Sequence, residues 1–174
     1  MGLIWTNKLS VGNAIIDSEH RNLISMVNDV SHEIKIGDGS ALLQAFKLLE
    51  NWLRVHFVNE EKIARAVKFP FEQHKLAQQH SLKELRYMKN ELVAKDGVWS
   101  DSAVAHFTHS LKNWMVDEHI IKLDMLMKPV LQNYDYNFWP NYKDGEAVHA
   151  AGAAETHTSS AGGCGCGCGC GRDS

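Results

Sequence analysis

Residues 42–67 read LLQAFKLLENWLRVHFVNEEKIARAV. Leu42, Phe46, Leu49, Leu53, His56, Glu60, Ile63 and Val67 recur at steps of three and four, which puts them on one face of a helix with about 3.6 residues per turn. That face is apolar except at His56 and Glu60, one turn apart. An unpaired carboxylate buried in such a stripe costs several kcal/mol, so Glu60 needs a partner inside the fold. The segment therefore predicts a long buried helix whose inner face carries a polar pair with something to bind.

Working outward, the same period recurs on both sides. His20, Leu23, Ile24, Val27, Val30 and Ile34 mark a helix from about Ser18, and Gly37 to Ser40 supply its stop and the next cap. After Lys68, Phe69 and Pro70 break the second helix, Leu82, Leu85 and Leu92 set the inward face of a third. Extended backwards, that face passes through Gln78 and His74, while His80 falls off it. Beyond a turn over Lys95 to Ser100, Val104, Phe107, Leu111, Trp114, Met115, His119, Leu123 and Leu126 mark a fourth, ending near Pro129. Strand signals are absent. Four amphipathic helices on short connections predict an all-α, antiparallel up-down four-helix bundle. Residues 1–17 are expected to form an N-terminal arm, and Tyr134 to Tyr142 to fold back on the bundle. The bundle is expected to occupy residues 1–142, followed at 143–174 by a disordered Ala/Gly/Ser/Thr tail.

Composition excludes several classes of function. The 18 basic and 21 acidic residues give a net charge of -3 with no basic block, so nucleic acid is not an expected partner. No apolar run approaches the roughly 18 residues of a membrane span. No secretory pattern opens the chain, and the cytoplasm is the expected location. Met1, Gly2 and Thr6 match the short myristoylation template. All four cysteines, Cys164, Cys166, Cys168 and Cys170, lie in the tail, so none staples the bundle. Their alternation with glycine differs from zinc-type C-x-x-C spacing but would let thiolates converge on a soft metal or form disulfides.

Ten histidines is a high count, and four of them, His20, His56, His74 and His119, fall on the inward faces of four different helices. Together with Glu60 they form a donor set that suits iron, zinc or manganese, and facing helices are a known place to build such a site. His32, His106 and His109 have no carboxylate at ligand spacing and are read as surface or interhelical residues. Glu61 is read as a solvated neighbour of Glu60. Trp5, Trp52, Trp114 and Trp139 are read as packing residues.

The stretch WTNKLSVGNAIIDSEH at 5–20, HFVNEE at 56–61 and HIIKLD at 119–124 resembles the bacterial hemerythrins (bacteriohemerythrins) over roughly residues 3–140. The resemblance implies a non-haem di-iron centre, its two irons possible partners of an oxo or hydroxo bridge, that binds dioxygen reversibly. His20 and His56 would serve one iron, His74 and His119 the other, and Glu60 and Asp124 would bridge them. Asp124 comes from the family pattern alone, since five residues from His119 is about 140° of rotation on an α-helix. Three departures stand out. The family's third helix carries H-x-x-x-H where this chain has His74 and Gln78, the loop before His74 is one residue short, and one residue is inserted between Trp114 and His119. Gln78 could bind through its amide oxygen or a water, His80 could reach in through a bulge, or the centre could hold one metal or none. The implied function is oxygen carriage, storage or sensing without catalysis. An iron-dependent redox enzyme acting on peroxide, oxygen or nitric oxide at an open iron is the alternative, and a metal-handling module working through its cysteine tail is a third.

Overall fold

The computed structural model describes residues 2–94 and 99–140. Helix α1 spans Ala14–Ile36, α2 Gly39–Ala66, α3 Glu72–Val93 and α4 Asp101–Lys112. The α4 rod continues into a π-helical segment, Asn113–Leu123, then a 3-10 turn, Asp124–Met127, and a closing helical turn, Lys128–Leu131. Among the described residues there is no strand, and no helix is long and apolar enough to cross a membrane. The fold is an all-helical bundle. The segment from 143 onward, with Cys164, Cys166, Cys168 and Cys170, lies outside the described residues.

Local chemistry sets the helix ends. Asn13 accepts hydrogen bonds from the backbone N–H groups of Ile15 and Ile16, so α1 starts four residues before the Ser18 expected from periodicity. Gly37 ends α1 at φ 80, a left-handed conformation that a side chain disfavours. One residue later the Asp38 carboxylate caps α2 through Ser40 N and Ala41 N. Lys68, at φ 57, turns the chain out of α2 ahead of Pro70, and Ser100 caps α4. Pro129 does not end the last element; it sits in the first turn of Lys128–Leu131, where a missing N–H costs nothing.

Helix α1 packs along α2 and against α4 with its π extension, and α3 packs on α2 and the π segment. Among the described residues the buried apolar ones fall into two clusters. One runs from Leu23 and Ile24 through Leu53, Phe57, Leu85, Leu111, Met115 and Ile120; the other holds Val11, Ile16, Ile63, Ala64, Val67, Phe71, Met127 and Leu131. In each of α1, α2 and the last rod the chain passes from one cluster to the other across His20, across His56 and Glu60, or across His119 and Asp124. A polar layer is thereby sealed between two apolar ones. The segment after the rod does fold back: Tyr136 O accepts from Ala14 N, and Phe138 O from the Asn13 side chain.

The π segment explains where the expected α-helical stripe departs from observation. Leu126, expected inward, is 59% exposed, while Asp124 and Met127 are fully buried. Wider i→i+5 turns rotate the face that follows them. Trp139 is also exposed rather than packed.

Candidate metal centre

Among the described residues nine polar or charged ones are buried, and seven of them, His20, His56, Glu60, His74, Gln78, His119 and Asp124, meet in the layer between the two apolar clusters. Two sets have donor atoms within 4.8 Å of one another: His20, His56, His119 and Asp124, and Glu60, His74 and Asp124. Asp124 belongs to both. Its Oδ2 lies 2.9 Å from His20 Nε2 and 3.3 Å from His119 Nε2, and its Oδ1 lies 3.0 Å from His74 Nε2. Glu60 is split the same way, with Oε1 3.7 Å from His74 Nε2 and Oε2 3.9 Å from His56 Nε2. The centre thus has two poles, joined by two carboxylates that each turn one oxygen toward either side.

The π segment is what brings Asp124 in. The Asp124 backbone N–H is shared between the carbonyls of His119 and Ile120, the first an i→i+5 bond, so residues five apart stack on one face instead of diverging by an α-helical angle. Such segments are rare and recur at functional sites.

The donors fit a cation. Two ligand atoms at about 2.1 Å from one ion and at right angles to each other are about 3 Å apart. His56 Nε2 and His119 Nε2 are 3.0 Å apart, and the shortest distances from Asp124 to His20 and His74 match this spacing. His20 Nε2 and Asp124 Oδ2 approach each other, yet both are buried without an aligned hydrogen bond, as is Glu60 Oε1. Buried polar atoms left without hydrogen bonds are costly unless another partner satisfies them. His56 with His119 and His74 with Asp124 can hydrogen-bond each other, whereas the lone pairs of His20 Nε2, Asp124 Oδ2 and Glu60 Oε1 are of the kind a metal ion satisfies.

Electrostatics favour the same occupant. Burial drives the His119 imidazolium down to about 3, and drives His20 down too, against the opposing pull of Asp124; both rings are neutral, the state a metal ligand needs. Burial works to raise the Asp124 carboxyl, but His119, His20 and His74 overcome it and hold the group well below the ordinary carboxylate range. Glu60, equally buried and beside the Asp124 charge, is pushed well above that range. Without a cation the two carboxylates cannot both ionise comfortably.

Surrounding groups fix the donors. His56 Nδ1 is 2.9 Å from Glu19 Oε2, and Asn59 donates to the other Glu19 oxygen at 2.6 Å. This carboxylate–imidazole pairing orients the ring so that Nε2 faces inward. Phe71 stacks on His74 with ring centroids 5.0 Å apart, and Phe57 meets His119 edge-on. Asp17, fully buried, accepts from Val11 N, Ser10 Oγ and Tyr136 Oη, tying the N-terminal arm and the final segment to α1. Periodicity missed Glu19 and Asp17. Glu19 lies off the α1 stripe beside His20, and only its adjacency to a candidate ligand hinted at a role.

Of the residues expected at the site, His20, His56, Glu60, His74, His119 and Asp124 are brought together. The imidazoles divide differently from the implied pairing, since His119 joins His20 and His56 and leaves His74 alone at the other pole. Gln78 is buried and donates from Nε2 to Glu60 Oε2 at 2.7 Å. His80 is not brought in: α3 stays regular, and its side chain is 73% exposed beside Glu84. His32, His106 and His109 are exposed, and Glu61 pairs with Arg65 and Lys75.

No protein-family model matches the chain, and no curated protein matches it. In fold it is similar to a solved crystal structure of a leucine-to-phenylalanine mutant, with TM-score 0.63 and 21% identity over 74% of this chain and 96% of that one. At that identity the likeness concerns the helical fold. What this chain itself presents is a buried histidine and carboxylate cluster able to hold metal.

Proposed function

We propose that the chain is a hemerythrin-like non-haem di-iron protein that binds dioxygen reversibly, in an antiparallel up-down four-helix bundle. The observation that carries this reading is the split of Asp124 and Glu60, each with one oxygen toward each of two poles lined by buried imidazoles. The antiparallel arrangement rests on α1 and α2, which pack together across only Gly37 and Asp38. The motifs at 5–20, 56–61 and 119–124 support iron over the other metals this donor set would suit.

Iron, when bound, would supply electrons to dioxygen on binding and take them back on release. The chain's residues do the rest. His20, His56, His119 and Asp124 would hold one ion and His74, Glu60 and Asp124 the other. Glu19 fixes His56, while Phe57, Phe71 and the two apolar clusters keep water and stray protons from the layer.

The test is to reconstitute metal-free protein with ferrous iron without oxygen, then cycle it between air and argon. A visible charge-transfer band that appears in air and vanishes under argon is expected. One-way bleaching with peroxide consumption would replace this reading with an iron-dependent redox enzyme. One observation favours that second reading: at Gln78 an amide stands where a further imidazole is expected, and it bonds Glu60, leaving its pole with fewer donors.

A further inference from the structure

The two poles are unequal. The first gathers three imidazoles, Nε2 of His20, His56 and His119, around Oδ2 of Asp124, with Glu60 Oε2 farther off at 3.9 Å from His56 Nε2. The second offers one imidazole, His74 Nε2, with Asp124 Oδ1 and Glu60 Oε1. Gln78 stands beside it with its amide nitrogen donating to Glu60 Oε2, so any donation to an ion would come from a single neutral amide oxygen.

The inequality extends to how the donors are held. At the first pole His56 is braced from behind by Glu19, itself braced by Asn59, so one ligand is fixed before any ion arrives. Among the described residues His74 has no such brace: its contacts are the stacked ring of Phe71, the perpendicular ring of Phe69 and the two carboxylates of the site. Outer partners of this kind change metal affinity about 10–100-fold. Donor type acts in the same direction. Imidazole nitrogen favours iron, cobalt and zinc, whereas a set rich in carboxylate oxygen discriminates less against harder ions such as manganese(II).

Resting on the two-pole reading above, we propose that the chain holds its ions sequentially: a tightly kept first ion at the imidazole pole, and a weak, exchangeable second at the His74–Glu60 pole that also admits a hard divalent ion. The chain then exists in one-metal and two-metal forms, and the supply of divalent metal sets which of them predominates. Any chemistry that needs both ions is thereby gated by metal availability. Asp124 links the two steps, since the first ion fixes the carboxylate whose other oxygen serves the second.

The experiment is a metal titration of the metal-free full chain, first with zinc(II) and then with manganese(II) followed by its electron paramagnetic resonance. Two steps are expected. With zinc alone, one ion per chain survives gel filtration and a second binds with a Kd at least roughly tenfold weaker; the chain carrying one zinc then takes up one manganese. His74→Ala should abolish manganese uptake and leave the tight zinc step intact, with circular dichroism verifying that the helices persist. The wild-type titration decides the matter even if that variant fails to fold. Two zinc ions bound in one indistinguishable step, or a zinc-loaded chain that takes no manganese, would overturn the inequality while leaving a metal centre in place. A chain that binds no metal would overturn both this proposal and the function on which it rests.

Discussion

Glu60 illustrates how a site for function is a liability for the metal-free fold. The residue is fully buried, its carboxyl is driven well above the ordinary range, and one oxygen has no hydrogen-bond partner. Glu60→Gln is therefore expected to raise the stability of the metal-free chain by roughly 1–2 kcal/mol, read as an increase in Tm of a few degrees. The same change should weaken metal uptake, and a variant less stable without metal would count against the buried-charge account. At Gln78 the expected change is in the other direction: Gln78→His adds an imidazole to the poorer pole and should slow the loss of the air-induced visible band. Equal rates in both proteins would mean that this position does not limit the site. Sequence alone made His20, His56, Glu60, His74, Gln78 and His119 legible, because all lie in α-helical register with apolar neighbours. It could not decide between Gln78 and His80; α3 remains regular and leaves His80 in solvent.

At the level of elements, the last rod departs most from what periodicity predicts. An α-helical reading puts His119 and Asp124 on different faces and Leu126 inside; the π segment stacks the first two and expels the third. The one-residue insertion between Trp114 and His119 was visible as a departure from a pattern, and a π turn is a way for a helix to absorb an extra residue. Periodicity assumes one angle per residue, so it cannot see such a change of pitch. The π segment should also be the most responsive part of the bundle. Its amides, Asn113–Leu123, are expected to exchange with deuterium faster than those of α1 and α2 in metal-free protein, and to slow markedly when metal fixes His119 to Asp124. Unchanged exchange on metal addition would separate the segment from the site. The Asp38 cap provides a contrasting control. Asp38→Ala should cost about 1 kcal/mol of stability and leave metal uptake untouched.

For the molecule as a whole, the polar layer sets how stability depends on pH. His20 and His119 have folded values below their ordinary 6.5, with His119 at about 3. Below pH 6.5 the unfolded chain therefore binds protons that the native chain refuses, and the stability contributed by these rings is lost as pH falls toward the folded values. Asp124, also lowered, adds a loss at still lower pH. Glu60 acts oppositely. Its contribution is fully present below the ordinary 4.5 and disappears as pH rises through its raised folded value. Metal-free protein should accordingly lose Tm on both sides of an optimum, and Glu60→Gln should flatten only the high-pH side. Metal should raise Tm at neutral pH, because ions that bind the folded layer and not the unfolded chain stabilise by mass action. The central claim, that buried imidazoles and two shared carboxylates form one centre with two poles, is tested most directly by native mass spectrometry of the chain saturated with ferrous iron without oxygen. The predicted mass is that of the protein plus two iron ions per chain, reduced in Asp124→Asn. A wild-type mass equal to that of the metal-free protein would contradict the account.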